Sequence, residues 1–240
     1  MANYSLDPIG ANCYPGTTVL INKFGITDET ELRQAEIEIT QEASARWEQT
    51  PSCKTFDFEH YKSIHTHLFQ DLYDWAGQIR DVNISKKGTQ FCPFDNIVSS
   101  AELTFAQLNK LGYLVGLPRK KFIAEFVDLY VATNYLHPFR EGNGRTQRLF
   151  LAQFARNVGY KLNFADIDVD ELMIATVYSS QGVLDGLSRI FEKEIKLIER
   201  QSEAEKTPLL ERISKNQQKV EDYKTANPQN QNIAKKPEIE

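Results

Sequence analysis

Cysteine is scarce in this 240-residue chain. Its three copies (Cys13, Cys53 and Cys92) stand far apart and are odd in number. No CxxC pair occurs, so neither a disulfide framework nor a zinc knuckle is indicated, and three thiols in a reducing compartment is the plain reading. Positive charge is not in excess either. The net charge of −5 supplies no global field to draw in nucleic acid or an anionic membrane, although a local basic cluster stays open. No apolar run reaches the length of a membrane-spanning helix. The opening "MANYSLDPIGANCYPGTTV" has no basic stretch followed by an apolar one, as a signal peptide would. Walker A, GxGxxG and HExxH sequences are all absent, which removes the usual nucleotide and zinc signatures. No internal repeat is visible.

What is present is mostly helical periodicity. Apolar residues recur at three and four over Asp28–Glu48, Phe58–Trp75, Asn96–Leu111, Pro118–Leu136, Gly144–Gly159, Asp168–Ser180 and Leu184–Gln201. The strongest is Pro118–Leu136, where Pro118 suits a first turn and Phe122, Phe126, Leu129, Tyr130, Thr133 and Leu136 share a face. Gly77 is a C-cap candidate for the second helix. One segment breaks the pattern. "IRDVNISKKGTQFCPF" alternates, turns at Lys86-Lys87-Gly88 and returns, which predicts a β-hairpin over Val82–Phe94. A lone two-stranded hairpin is marginal in water, so this one must lean on helices or pair with something extended. The expectation is an all-α bundle with a small hairpin, spanning residues 1–201. After that the composition turns polar. Residues 202–240 read as a tail or linker, with a solvated helix over Thr207–Tyr223 and disorder beyond Thr225.

The densest chemistry lies in "LHPFREGNGRTQRLF", Leu136 to Phe150. Pro138 disfavours helix at His137, so the incoming helix stops at a histidine that faces a loop. An imidazole titrates near neutrality, which suits a general base. Phe139 would anchor the loop in the core. Glu141 is a fit ligand for a hard cation such as Mg²⁺. Gly142 and Gly144 let backbone N–H groups approach an anion at the start of the next helix. Arg145 and Arg148, three apart, share a face there and suit phosphate oxygens. Each piece alone has an ordinary reading: a structural histidine, a solvated arginine pair, turn glycines. Together they do not, because two arginines in a first helical turn oppose the helix dipole unless an anion is bound. A base, a metal-binding carboxylate and an anion nest at one point form the equipment for displacement at phosphorus. His60, His65 and His67 read as core or interface histidines, since His65 and His67 point to different faces.

The segment His137–Arg148, "HPFREGNGRTQR", resembles the Fic (filamentation induced by cAMP) family, fitting every fixed position of HPFx(D/E)GNGRxxR. The likeness extends to "DLYDWAGQIRDV" (Asp71 to Val82), "YPGTTVLINKFGI" (Tyr14 to Ile26) and "YKLNF" (Tyr160 to Phe164), and covers roughly Tyr14 to Ile198. The resemblance implies a Fic-type helical bundle whose hairpin is a flap. It implies transfer of AMP from ATP, with Mg²⁺, to a Tyr, Thr or Ser hydroxyl of a target protein. His137 would deprotonate that hydroxyl and Glu141 would hold the metal. Gly142, Asn143, Gly144, Arg145, Thr146, Gln147 and Arg148 would bind ATP, with Arg145 towards the β-phosphate and Arg148 on the γ-phosphate. Lys86, Lys87, Gly88, Thr89 and Gln90 would hold an extended target segment by backbone pairing; Lys86, Lys87 and Asp95 are the charges to test for target choice. Tyr178, Ser180, Gln181 and Gly182 are candidates for the adenine pocket.

Many relatives carry an inhibitory helix with (S/T)xxxE(G/N), whose glutamate pairs with the second motif arginine. Here Thr27/Glu31, Ser44/Glu48, Thr55/Glu59, Ser188/Glu192 and Thr207/Glu211 have the carboxylate, but none is followed by Gly or Asn. The chain therefore resembles the class inhibited by a separate small antitoxin, and Arg148 is expected to be unpaired within it. Such proteins are bacterial toxins of the cytoplasm or parts of effectors translocated into host cells. Alternatives of other kinds are a non-catalytic nucleotide- or partner-binding module, and a related transfer (phosphoryl, phosphocholine, or removal of AMP).

Overall fold

A computed structural model describes residues 5–6, 12–49, 55–86 and 89–198. The chain separates into a unit Met1–Ile198 and a unit Glu199–Glu240. The second, including the helix expected over Thr207–Tyr223, lies outside the described residues.

Among the described residues the first unit is an α-helical bundle with very short strands. Its helices are α1 (Glu29–Glu48), α2 (Phe58–Phe69), α3 (Ile97–Lys110), α4 (Arg119–Leu136), α5 (Asn143–Asn157), α6 (Val169–Ser179) and α7 (Asp185–Glu194). Three start on an aspartate that satisfies an orphan N–H of the first turn. Asp28 accepts from Glu31 N at 2.9 Å, Asp57 from His60 N at 2.8 Å and Asp168 from Glu171 N at 2.8 Å.

The core forms where α2, α4 and α5 meet. Every apolar-face residue expected of α4 is buried: Phe122, Phe126, Leu129, Tyr130, Thr133 and Leu136. Phe150 and Phe154 of α5 pack edge-on against Phe56, at 5.7 and 5.1 Å between ring centres. Phe150 is fully buried, so Phe150→Ala would cost about 3–5 kcal/mol in lost contacts and cavity.

Three expectations need correction. Helix α2 ends at Phe69 rather than Trp75, because the chain turns there: the amides of Leu72 and Tyr73 both return to Phe69 O. Gly77 is therefore not its C-cap. It has φ +80 and lies against α2, where a Cβ would sit 2.0 Å from Thr66 Oγ1. Helix α7 stops at Glu194, not Gln201. Arg119 donates to Glu192 O and Ile195 O at its end, and the chain continues as β5 (Lys196–Leu197), antiparallel to β4 (Tyr160–Lys161). Finally, the hairpin is shorter than expected and gains a strand. β2 (Ile84–Lys86) pairs with β3 (Thr89–Gln90), and β1 (Ser5–Leu6) pairs antiparallel along the other side of β2. Two of the turn residues, Lys87 and Gly88, lie outside the described residues.

Candidate active site

The loop between α4 and α5 is fixed from below. Phe139 lies between Tyr61 and His65, with ring centres 6.0 and 3.8 Å away and nearly parallel planes. His65 is a core histidine, as expected, and it has a second role: Nε2–H donates to Glu141 O at 3.0 Å, while Nδ1 accepts from Gly77 N at 2.8 Å. Burial holds its pKa down to about 3, so it stays neutral and keeps that tautomer. Gly142 takes φ +78, and a Cβ there would meet the Phe69 ring at 2.3 Å. Only glycine meets both demands.

His137 closes α4 in the left-handed conformation, φ 36 and ψ 57. Its Nδ1 lies 2.7 Å from Asn134 O. A carbonyl can only accept, so Nδ1 carries the proton and Nε2 keeps its lone pair. The imidazole is buried beneath the ring of Phe91, stacked at 3.6 Å and 12°. Burial lowers its pKa to about 3, and Lys86 and Arg80 add to the effect. The ring is thus a neutral base with its acceptor nitrogen fixed by the hydrogen bond on the other side.

Around it runs a cleft of about 350 Å³. Its walls are Lys86, Thr89 and Phe91 from the hairpin, and Tyr130, Asn134 and His137 from α4. Glu141, Gly142, Gly144, Arg145, Gln147 and Arg148 come from the motif. Val169, Leu172, Met173, Thr176 and Val177 come from α6. A smaller cleft of about 280 Å³ between α6 and α7 includes no motif residue.

Some expected residues do not reach this cleft, or reach it with their polar groups already engaged. Thr146 is fully buried and donates to Gly142 O at 3.1 Å. Asn143 spends its side chain on the loop, accepting from Phe139 N and donating to Phe139 O, both at 2.8 Å. Gln147 borders the cleft, but its amide donates to Tyr130 O and Thr133 Oγ1, at 2.8 and 3.0 Å. These three shape the site rather than present polar side-chain groups to it. Tyr178, in the last turn of α6, and Ser180, Gln181 and Gly182 just after it are exposed and do not line the cleft. The apolar wall stands earlier on that helix, from Val169 to Val177. Of the hairpin residues, Lys86 and Thr89 face the cleft, whereas Gln90 is exposed and does not line it.

The two arginines differ. Arg148 is exposed at the cleft; partial loss of solvent there, and then Arg145, lowers its pKa, and among the described residues it makes no ion pair. Glu31, Glu48, Glu59 and Glu192 are exposed, and none pairs with it; Glu211 lies outside the described residues. Arg145 instead has a tight partner that sequence reasoning missed. Glu36 of α1, 3% exposed, forms a close ion pair with its guanidinium, backed by Tyr73 O–H at 3.1 Å; Thr40 Oγ1 accepts from Arg145 at 3.3 Å. A readable signal existed, since Glu36 shares the face of Leu32, Thr40 and Ala43, and a carboxylate on a buried stripe demands a partner.

Glu141 lies 3.6 Å from Arg145 and accepts from Gly142 N at 3.0 Å. Burial, then Glu36, raises its pKa. Among the described residues no cluster of three His, Cys, Asp or Glu could hold a metal by itself. One cleft-lining carboxylate fits the way magnesium binds beside a nucleotide, through one or two carboxylates, phosphate oxygens and water.

The bundle and the site together have the make-up of an enzyme's active site: a neutral imidazole, a carboxylate and two arginines share one cleft beside a β-hairpin. A profile of the Fic/DOC family matches residues 55–155. The chain is 38% identical over 182 residues to a "Probable protein adenylyltransferase Fic" of Salmonella typhimurium, covering 76% of this chain and 90% of that one. It is 35% identical over 181 residues to the "Protein adenylyltransferase VbhT" of Bartonella schoenbuchensis, covering 75% of this chain and 38% of that one. Its fold is similar to the BepC protein of Bartonella tribocorum, described as a VirB-translocated effector with bound AMPPNP. The TM-score is 0.72 at 26% identity, over 78% of this chain and 96% of that one. This chain belongs to the Fic/DOC family. No helix among the described residues is long and apolar enough to cross a membrane.

Proposed function

We infer that this protein is an adenylyltransferase that moves AMP from ATP to a hydroxyl side chain of a target protein. One observation carries the reading: the base of His137 shares a single cleft with Glu141, Arg145, Arg148 and the hairpin. A target hydroxyl placed against Nε2 loses its proton there as its oxygen bonds to the α-phosphorus. The bond from that phosphorus to the bridging oxygen breaks, and pyrophosphate leaves. Asn134 O steadies the imidazolium that forms. The neighbouring triphosphate raises the low pKa of the imidazole towards the working range. Arg145 and Arg148 neutralise charge on the β- and γ-phosphates, and the amides of Gly142 and Gly144 receive phosphate oxygens. Glu141 would hold Mg²⁺, which supplies further charge neutralisation when bound. The adenine ring rests on Val169, Leu172, Met173, Thr176 and Val177, an apolar wall suited to a flat base.

The hairpin serves as the flap for an extended segment of the target. With β1 along the outer side of β2, the hairpin's own remaining edge is that of β3, and β1 forms the other edge of the sheet. That Arg148 makes no ion pair among the described residues supports inhibition in trans by a small antitoxin bearing (S/T)xxxE(G/N). The bacterial cytoplasm is the proposed compartment, with translocation as an alternative in line with the name of the BepC relative. Nothing in the charge favours nucleic acid as a direct ligand.

The test is incubation of a bacterial lysate with labelled ATP and the protein, read by mass spectrometry. A mass gain of AMP on hydroxyl residues, lost with His137→Ala, is expected. ATP binding with no adduct would mean a non-catalytic module, and a gain of phosphate alone would mean a different transfer.

A further inference from the structure

The guanidinium of Arg80 is buried, with the residue 4% exposed, and each of its three nitrogens is placed on a different carbonyl. Nε donates to His137 O at 2.8 Å, Nη1 to Val82 O at 2.6 Å and Nη2 to Cys92 O at 2.5 Å. Its own backbone N–H donates to Pro138 O at 2.9 Å. Val82 and Cys92 are the two feet of the hairpin, just before β2 and just after β3. His137 and Pro138 begin the motif loop. One side chain therefore joins both feet of the flap to the histidine that faces the cleft.

We propose that Arg80 is a positioning residue that fixes the flap to His137, so that the strand holding a target and the base that deprotonates it keep one geometry. The proposal rests on the adenylyltransferase reading for its meaning, but the clamp itself is testable without it. Three features favour this role over simple filling of the core. First, a planar fork can serve three acceptors in separate directions, which a lysine cannot. Hydrogen bonds from a charged donor are also about twice as strong as neutral ones. Second, His137 is held in the left-handed conformation that a β-carbon disfavours, and Arg80 binds the carbonyl of that same residue. Third, two further contacts join the same parts. Cys92 N–H donates to Tyr135 O of α4 at 2.9 Å, and the ring of Phe91 lies on the imidazole. The flap is too short to hold its own position, with two-residue and three-residue strands. Its aim must come from its base, and transfer needs the hydroxyl within hydrogen-bond reach of Nε2.

The test uses Arg80→Lys in the full chain, with three readouts. Amide hydrogen exchange is measured across residues 82–92 and across α2 and α5. ATP affinity is measured by calorimetry. The initial rate of AMP transfer from labelled ATP to the proteins of a bacterial lysate is measured at saturating ATP. Exchange in the hairpin is expected to rise at least tenfold with α2 and α5 unchanged. The transfer rate is expected to fall at least tenfold while the ATP dissociation constant stays within about twofold. Unchanged hairpin exchange overturns the proposal. So does a loss of ATP affinity in proportion to the loss of rate, since that marks general damage. If the lysine variant does not fold, Arg80→Gln, which keeps two donors without the charge, is measured in the same way. Absence of AMP transfer by the wild-type protein would defeat the functional reading, while the exchange measurement would still decide the clamp.

Discussion

The carboxylate of Glu36, on α1, grips the guanidinium of Arg145, on α5, from behind the cleft. Arg145 lines that cleft and Glu36 does not. A carboxylate in this place cannot occupy a phosphate position. It holds the arginine from the rear, and Tyr73 and Thr40 complete the support. It also leaves the more distant Glu141 free to turn to a cation, because Arg145 already has its close partner.

The pair predicts a split between binding and turnover. Glu36→Gln keeps an acceptor for Tyr73 and loses the charge that fixes Arg145. AMP transfer at saturating ATP should fall about tenfold or more, as misplacement of a charge-stabilising group does. ATP affinity should hold or tighten, because a negative charge behind the phosphate site has gone. Glu36→Ala would leave a partly exposed guanidinium without its close partner and should cost about 1–3 kcal/mol of stability by denaturant titration. A Glu36→Gln variant with faster transfer would show the opposite relation, an arginine held back from its phosphate.

Replacing His137 by Ala removes a neutral acceptor nitrogen that a hydrogen bond to backbone fixes towards the cleft. General base catalysis contributes about 10²–10⁴ in rate, so transfer should drop by that range. The phosphate contacts proposed above lie on α5 and its preceding loop, so ATP affinity should stay within a few-fold by calorimetry. Equal losses in both would place the imidazole in nucleotide binding instead.

Gly142→Ala tests the loop. The new methyl meets the Phe69 ring at 2.3 Å and the residue keeps φ +78. Strain in the left-handed region and overpacking each cost about 1–3 kcal/mol. The melting temperature should fall, and transfer should fall further than stability alone explains, because Glu141 and the start of α5 flank the displaced residue. Gly116→Ala is the control. It has a comparable φ of +75 but meets nothing within 4 Å, so it should lose stability through backbone strain alone.

What could be read from the sequence was whatever is local along the chain. The buried face of α4 repeats every three or four residues, and the motif runs without a break from His137 to Arg148. Both were therefore visible. The support for those residues was not, because it comes from far away. Glu36 reaches Arg145 across 109 positions, and Arg80 reaches His137 across 57. Nothing near Arg80 in "QIRDV" marks it as buried. Strands of two residues, such as β1, β4 and β5, have too little alternation to register. The α6 wall was hidden for another reason. Val169, Met173 and Val177 recur every four residues like a core stripe, yet they are exposed and border the cleft. An apolar face reads the same whether it packs on protein or awaits a flat ligand.

The two buried histidines predict how stability responds to acid. His65 and His137 are each held down to about 3, from an ordinary value near 6.5, chiefly by burial. Between those values the unfolded chain binds a proton at each site and the folded chain does not. Stability contributed by these sites is therefore complete above about pH 6.5 and is lost as pH falls, at up to about 1.4 kcal/mol per pH unit for each histidine. Glu141 and Asp128 act in the other direction. Burial raises both, so each folded carboxyl takes up a proton earlier than its unfolded counterpart and offsets part of the loss at lower pH. Denaturant titrations at pH 7 and pH 5.5 should show a lower midpoint at the acid end. His137→Phe keeps a buried ring that cannot titrate and should remove about half of that dependence. An unchanged slope in that variant would mean that the imidazole is charged in the folded protein and cannot serve as the base.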